Sequence, residues 1–122
     1  IGRANWEKGL DLAVRVAVKS GMNLIMAIKM TEEHEKKFYK KEVQPWLNKY
    51  KHSNSFKLYG VLTSRQKFQL YRNAKGTLFT SQWEEPFGLV MTESMACGTP
   101  VLALNKGAAP EVIVNGKTGF VV

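Results

Sequence analysis

The hydrophobic positions of this chain alternate between two periods along its whole length. Some segments repeat apolar residues at the three-to-four spacing of a helix, and short apolar runs between them fit buried strands. The predicted helices are Lys8–Ser20, Thr31–Lys51, Thr63–Ala74, Leu89–Ala96 and Ala109–Val114. The predicted strands are one that ends just before Arg3, then Asn23–Lys29, Phe56–Leu62, Thr77–Thr80, Val101–Leu104 and Thr118–Val122. This alternation predicts right-handed βαβ units and an α/β fold, a doubly wound parallel sheet with helices on both faces.

Local signals set several helix limits. Thr63 and Gln66 have the spacing of a capping box, and Gly21 and Gly98 follow apolar helical patterns as stop signals. Pro45 lies inside the long segment Thr31–Lys51 and is expected to bend or split that helix.

Length and composition indicate one globular domain over residues 1–122. The 122 residues contain 44% hydrophobic and 23% charged residues, and no apolar run approaches the roughly 20 residues of a membrane span. The single cysteine, Cys97, excludes an internal disulfide framework and favours a cytoplasmic location. Both termini resemble strands rather than tails, so the domain is expected to be a fragment of a longer two-domain protein.

The net charge of +8 raises the question of a nucleic-acid partner. Much of it comes from the segment Thr31–Lys51, where lysines alternate with glutamates as on a solvated helix face. Aromatic residues do not interleave with arginines as stacking platforms require, so no nucleic acid is expected. Peripheral attraction to an anionic membrane, at its inner face, is compatible with this charge.

The segment Glu85–Glu93 carries the strongest chemical signal. Pro86 and Gly88 break the preceding strand, and the apolar residues from Leu89 onward begin a helix. The first turn of that helix would present free backbone N–H groups beside Gly88, which is the arrangement that binds phosphate. Glu85 and Glu93 would then accept hydrogen bonds from hydroxyls on either side. A diphosphate flanked by hydroxyls is a nucleotide sugar.

Two further groups are expected at the same edge of the sheet, because ligands bind at the carboxyl ends of parallel strands. Arg3 follows the opening strand, Lys8 begins the next helix, and Gly60-Val61 lies near the end of the strand Phe56–Leu62. Two cations and one helix N-terminus would surround a common point and suit a diphosphate.

Other residue types carry weaker signals. Trp83 would either stack on the donor sugar or only cover its loop, and Glu84 is expected to be structural. One cysteine and two scattered histidines offer no metal site.

Together these motifs resemble the C-terminal domain of GT-B glycosyltransferases, specifically the retaining family 4, also called glycosyl transferases group 1. The matching stretches run in the expected order along the whole chain. They are Ile1-Gly2-Arg3-x4-Lys8-Gly9, Glu85-x7-Glu93, Met95-Ala96-Cys97-Gly98-Thr99-Pro100-Val101, Gly107-Ala108-Ala109-Pro110-Glu111-Val112-Ile113 and Gly116-x-x-Gly119-Phe120-Val121. One departure is Ala27-Ile28-Lys29-Met30, where many members have a glycine-containing turn that borders the donor.

The resemblance implies a role for each matching residue. Arg3 and Lys8, with Gly2 beside them, would hold the donor diphosphate and stabilise its charge, and Glu85 would reach the sugar hydroxyls, which makes Arg3, Lys8 and Glu85 the catalytic candidates. The remaining donor contacts would be Glu93 to the ribose hydroxyls, Gly60 and Val61 against the base, and the backbone of Phe87, Gly88 and Leu89 to sugar and phosphate. Neither acid would need to act as a general base.

The implied activity is transfer of a hexosyl group from a nucleotide-diphosphate sugar, of the UDP or GDP type, without a cofactor or a required metal. The acceptor, a sugar, lipid or other small molecule, would be bound by an N-terminal domain outside this chain. Two alternatives stay open. One is another nucleotide-sugar enzyme of GT-B build, a synthase or an epimerase, although the Arg-x4-Lys and E-x7-E motifs argue against the epimerase. The other is a nucleotide-binding or interaction module without catalysis.

Overall fold

The structure, a computed structural model, describes residues 1–122 and divides them into two compact units. The first unit comprises Ile1–Val61 and the second Leu62–Val122. Six strands are present: β1 Gly2–Arg3, β2 Leu24–Lys29, β3 Phe56–Tyr59, β4 Thr77–Phe79, β5 Val101–Ala103 and β6 Gly119–Val121. The helices are α1 Leu10–Ser20, α2 Glu33–Phe38, α3 Gln44–Tyr50, α4 Ser64–Asn73, α5 Leu89–Ala96 and α6 Ala109–Val112, with one π-helical turn at Tyr39–Val43.

The first unit contains a parallel sheet in the order β1-β2-β3, in which Gly2 is paired with Ile28 and Leu24 with Phe56. Its core consists of apolar residues from β2, from the bend after β1, from α1 and from the π-helical turn. These are Ala4, Val14, Met26, Ile28 and Val43. Burying an aliphatic side chain as fully as Val14 contributes about 1.5–3 kcal/mol relative to leaving it in water, so this cluster holds α1 and the π-helical turn against the strands.

The predicted long helix Thr31–Lys51 is divided into three pieces. It begins at Glu33, changes to π geometry at Tyr39–Val43 and continues as α3, in which Pro45 occupies the first turn. A backbone N–H in the first turn of a helix has no helical partner, so a proline, which lacks that N–H, is tolerated there. The helix is therefore split just before Pro45, as the sequence predicts. Trp46 and Leu47 of α3 pack against the core of the first unit.

The second unit contains a parallel sheet in the order β4-β5-β6, and its register pairs Leu78 with Leu102 and Leu102 with Phe120. Its core joins the sheet to α5 and α6 and includes the fully buried Met91. The Thr63–Gln66 capping box is present at the start of α4, where Thr63 Oγ1 accepts from the backbone N–H of Gln66 at 3.3 Å.

The α/β class with parallel strands is therefore confirmed, and the six strands lie in two three-stranded sheets. Most predicted elements occur with ends that differ by one to three residues. The first helix begins at Leu10 rather than Lys8 because Gly9 at its N-cap has a left-handed backbone (φ 62°), which a continuing helix cannot include.

Candidate functional site

Arg3 lies at the end of β1 in the first unit, and a buried carboxylate holds its guanidinium. Its Nε is 2.6 Å from Oε1 of Glu35, whose side chain is 1% exposed, whereas the side chain of Arg3 is 48% exposed. The other oxygen of Glu35 accepts from the backbone N–H groups of Thr31 (2.9 Å) and Glu32 (3.1 Å). Hydrogen bonds from Glu32 and Thr31, together with the charge of Arg3, keep the pKa of Glu35 below its ordinary value despite burial.

The other donor residues predicted in the first unit lie in two places. A Cβ added to Gly2 would be 3.9 Å from Cγ of Lys8, and the backbone N–H of Lys8 donates to Oδ1 of Asn5 at 3.0 Å. Gly60 and Val61 follow β3, and Val61 is 78% exposed. The structure thus brings Gly2 and Lys8 together beside Arg3 and places Gly60 and Val61 at the carboxyl end of the edge strand.

In the second unit, Gly88 forms the N-cap of α5 with a left-handed backbone (φ 74°). A Cβ at this position would lie 2.6 Å from Cε of Met91 and 3.1 Å from Cζ of Phe79, so only glycine fits without rearrangement. Phe87 and Leu89, on either side, are more than half exposed. The start of α5 is therefore tightly packed on its core side and bears exposed residues on the other.

Glu85 lies in the loop before α5, and neighbouring residues hold both its side chain and its backbone. Oε2 of Glu85 accepts from Nε1 of Trp83 at 3.0 Å, and its backbone carbonyl accepts from the N–H of Ala108 at 2.8 Å. Gly107 (φ 52°) has no room for a Cβ, which would collide with the backbone of Glu85. Its N–H donates to Oε2 of Glu84 at 2.5 Å, the structural role expected for Glu84.

Glu93 lies in α5, and two residues of α4 contact its carboxylate. Nζ of Lys67 is 2.7 Å from Oε1 of Glu93, and the hydroxyl of Tyr71 is 3.1 Å from Oε2. Tyr71 is buried, and its burial, followed by the charge of Glu93, raises its pKa, so the phenol stays protonated and donates to the carboxylate. Glu93 retains an 18% exposed side chain.

The predicted residues therefore form two groups. Gly2, Arg3, Lys8, Gly60 and Val61 belong to the first unit, and Glu85, Phe87, Gly88, Leu89 and Glu93 belong to the second. Their convergence on one ligand stays a prediction.

Sequence reasoning missed three residues that hold these groups in place, Glu35, Lys67 and Tyr71, and gave Gly107 only as part of a family motif. The sequence does contain a signal for Glu35, which has capping-box spacing from Glu32. In the structure the Glu35 side chain accepts from the N-cap backbone, as a capping box requires. Lys67 and Tyr71 have the four-residue spacing of one helix face, but nothing in the sequence indicates that this face meets Glu93.

The described residues contain no group of three or more His, Cys, Asp or Glu side chains able to hold a metal ion. None of the helices has the length and apolar content needed to cross a bilayer.

Comparison with known proteins gives consistent matches along the chain. The sequence profile of the glycosyl transferases group 1 family matches residues 1–122. Sucrose synthase 6 of Arabidopsis thaliana is 34% identical over 94 residues, which are 74% of this chain and 10% of that protein. Glycogen synthase of Mycobacterium tuberculosis is 29% identical over 128 residues, covering 98% of this chain and 28% of that protein.

Solved structures resemble the chain as well. The crystal structure of Anabaena HepE in complex with UDP has a TM-score of 0.84 at 25% identity, covering 99% of this chain and 34% of HepE. The complex of the same protein with UDP-glucose has a TM-score of 0.77. The chain therefore spans about a third or less of the proteins it matches.

Proposed function

The chain belongs to the glycosyl transferases group 1 family, and we propose that it is the donor-binding part of a hexosyltransferase that uses a nucleotide-diphosphate sugar. The donor is of the UDP or GDP type. The resemblance to HepE favours UDP as the nucleotide, because HepE matches 99% of this chain and was solved with UDP and with UDP-glucose.

The observation that carries this proposal is the geometry at the start of α5. Gly88 has a left-handed backbone at the N-cap and is flanked by the exposed residues Phe87 and Leu89. The carboxylates of Glu85 and Glu93 lie in the same unit, and each is oriented by a neighbouring side chain. Unpaired N–H groups in a first helical turn bind phosphate oxygens, and the two acids can accept only from donors such as hydroxyls.

The proposed mechanism follows from where charge develops. When the sugar leaves, negative charge accumulates on the diphosphate, and Arg3, Lys8 and the N–H groups at Gly88 stabilise that charge more strongly in the transition state than in the ground state. Removing one such donor typically costs on the order of 3–4 kcal/mol, a few hundredfold in rate. We propose that the donor binds without a metal ion, with the positive charges of Arg3 and Lys8 offsetting the negative charges of the diphosphate.

The finer assignment rests on the family resemblance. We place the chain in the retaining family 4, in which the acceptor attacks on the face from which the diphosphate leaves. The acceptor would be held by an N-terminal domain, and residues 1–122 alone would bind the nucleotide weakly without turnover. A GT-B synthase is the second candidate, because sucrose synthase 6 and glycogen synthase are among the relatives.

Binding is tested with nucleoside diphosphates and their sugars. We expect UDP or GDP to raise the melting temperature of the chain, with the shift growing as the ligand concentration exceeds Kd. EDTA is expected to leave the shift unchanged. If neither UDP nor GDP nor ADP binds, the donor-site proposal is wrong.

Catalysis is tested in the full-length protein. Glu85→Gln and Lys8→Met are expected to lower kcat/KM by at least a hundredfold, whereas Lys19→Met, in the last turn of α1, should leave it unchanged. Normal activity in the Glu85 and Lys8 variants would refute the site assignment. The anomeric configuration of the product, read by NMR, distinguishes retention from inversion.

A further inference from the structure

A pair of side chains on α4 fixes the position of the Glu93 carboxylate. Lys67 and Tyr71 are four residues apart, so they project from the same helix face, and each binds a different oxygen of Glu93 at 2.7 and 3.1 Å. The side chains of Lys67 and Glu93 are only 25% and 18% exposed. A carboxylate with two donors on two oxygens cannot rotate or shift without breaking one of the bonds.

This arrangement pairs a largely buried carboxylate and keeps it oriented. Withdrawing a carboxylate from water is unfavourable unless it is paired and hydrogen bonded, and Lys67 supplies the charge while Tyr71 supplies a neutral hydrogen bond. Tyr71 is itself held in place, because its ring is buried and its backbone carbonyl accepts from Oγ1 of Thr99 at 2.5 Å.

The carboxylate of Glu93 keeps part of its capacity to accept hydrogen bonds. Each carboxylate oxygen has about two lone-pair sites, and Lys67 and Tyr71 use one on each oxygen. The remaining sites can accept two hydroxyl donors at a fixed separation. The vicinal hydroxyls at C2′ and C3′ of a ribose are such a pair, and a 2′-deoxyribose offers only one of them.

We propose that Lys67 and Tyr71 are positioning residues that orient Glu93 for a ribose diol and thereby make the site prefer ribonucleotides to 2′-deoxyribonucleotides. This inference rests on the proposed function, in which Glu93 contacts the ribose. Lys67 and Tyr71 act through Glu93 and need no contact of their own with the nucleotide.

The experiment compares Kd values of UDP and 2′-deoxy-UDP, and of GDP and 2′-deoxy-GDP, for the full chain by calorimetry. We expect the unmodified chain to prefer the ribose form by about tenfold, the factor that corresponds to 1.4 kcal/mol. Lys67→Met and Tyr71→Phe should each reduce this ratio at least threefold, mainly by weakening the ribose form. Lys67→Arg should keep the ratio, since the guanidinium retains the charge and donors.

A ratio of two affinities separates positioning from stability, because partial unfolding lowers both affinities equally. Lys36→Met removes the exposed ion pair between Lys36 and Glu33 in α2 and serves as the matched control. If Lys67→Met and Tyr71→Phe retain ribonucleotide binding and leave the ratio unchanged, this inference is wrong and the proposed function is unaffected. Absence of any nucleotide binding by the unmodified chain would overturn the proposed function and this inference with it.

Discussion

Glu35 anchors Arg3 from the element that follows β2, with 2.6 Å between Oε1 of Glu35 and Nε of Arg3. After β2 this chain has Lys29-Met30 followed by a capping box formed by Glu32 and Glu35. The acid that closes the capping box also binds the arginine. The capping box at the start of α2 is therefore also an ionic connection to Arg3.

The first prediction concerns the pH dependence of folding. Because the pKa of Glu35 is lowered in the folded state, its ionised form contributes stability that is fully present above the ordinary carboxyl value near 4.5 and is lost as the pH falls through the lower folded pKa. Glu35→Gln should lower the free energy of unfolding at pH 7. It should also make this free energy depend less on pH in the acid range. Urea unfolding between pH 3 and 7 measures both effects.

Glu33→Gln is the control for that experiment, since Glu33 pairs with Lys36 on an exposed surface. It should change the unfolding free energy at pH 7 far less than Glu35→Gln, because surface ion pairs contribute little. Equal profiles for the two variants would contradict the anchoring role of Glu35.

The second prediction concerns Gly88 at the start of α5. Gly88→Ala should destabilise the chain by about 1–2 kcal/mol from the left-handed backbone alone and by more from contact with Met91 and Phe79. Gly98→Ala is matched to it, because Gly98 has a similar φ of 77° but open space around its Cβ position. The difference in urea midpoint between the two variants measures the packing contribution, and identical midpoints would exclude it.

The third prediction concerns the loop that holds Glu85. Gly107→Ala introduces a Cβ where the backbone of Glu84 and Glu85 lies, so this loop must shift. We expect weaker binding of UDP-glucose than in Gly116→Ala, a control with positive φ and no neighbouring atoms. Calorimetry with UDP-glucose and UDP checks this, and equal UDP-glucose affinities in both variants would contradict it.

The fourth prediction concerns Trp83, whose indole N–H donates to Glu85 at 3.0 Å. Trp83→Phe keeps an aromatic ring but removes the donor, and hydrogen bonds to charged groups contribute about 1.5–3 kcal/mol. We expect a several-fold loss of affinity for UDP-glucose and little change for UDP.

A double-mutant cycle with Glu85→Gln identifies the cause, since a shared interaction makes the two effects non-additive. Additive effects would mean that Trp83 contacts the sugar independently of Glu85.

The elements of this fold were predictable from the sequence because their signals are local. Helical periodicity, the Thr63–Gln66 capping box and the proline at position 45 each operate within one or two turns, and the structure contains all three. The residues at which helices and strands begin and end were less predictable. The strand predicted at Phe56–Leu62 ends at Tyr59, since pairing with β2 extends only as far as Ala27 opposite Tyr59.

For the candidate site, the sequence predicts the motif residues but not the residues that orient them. Glu85, Gly88 and Glu93 belong to one continuous motif, so their spacing predicts a shared role. The groups that orient them come from distant parts of the chain, such as Lys67, which is 26 residues from Glu93. Such a contact depends on which helix faces meet, and the periodicity of a single helix does not contain that information.

Each of the two compact units is built from one uninterrupted stretch of the chain, Ile1–Val61 and Leu62–Val122. During translation, every strand of the first sheet has been made before any strand of the second. At roughly 5–20 residues per second, synthesis of the second half takes about 3–12 s. The growing chain therefore holds the complete sequence of its first sheet, including Arg3 and the Glu35 that anchors it, seconds before the ribosome adds Glu85.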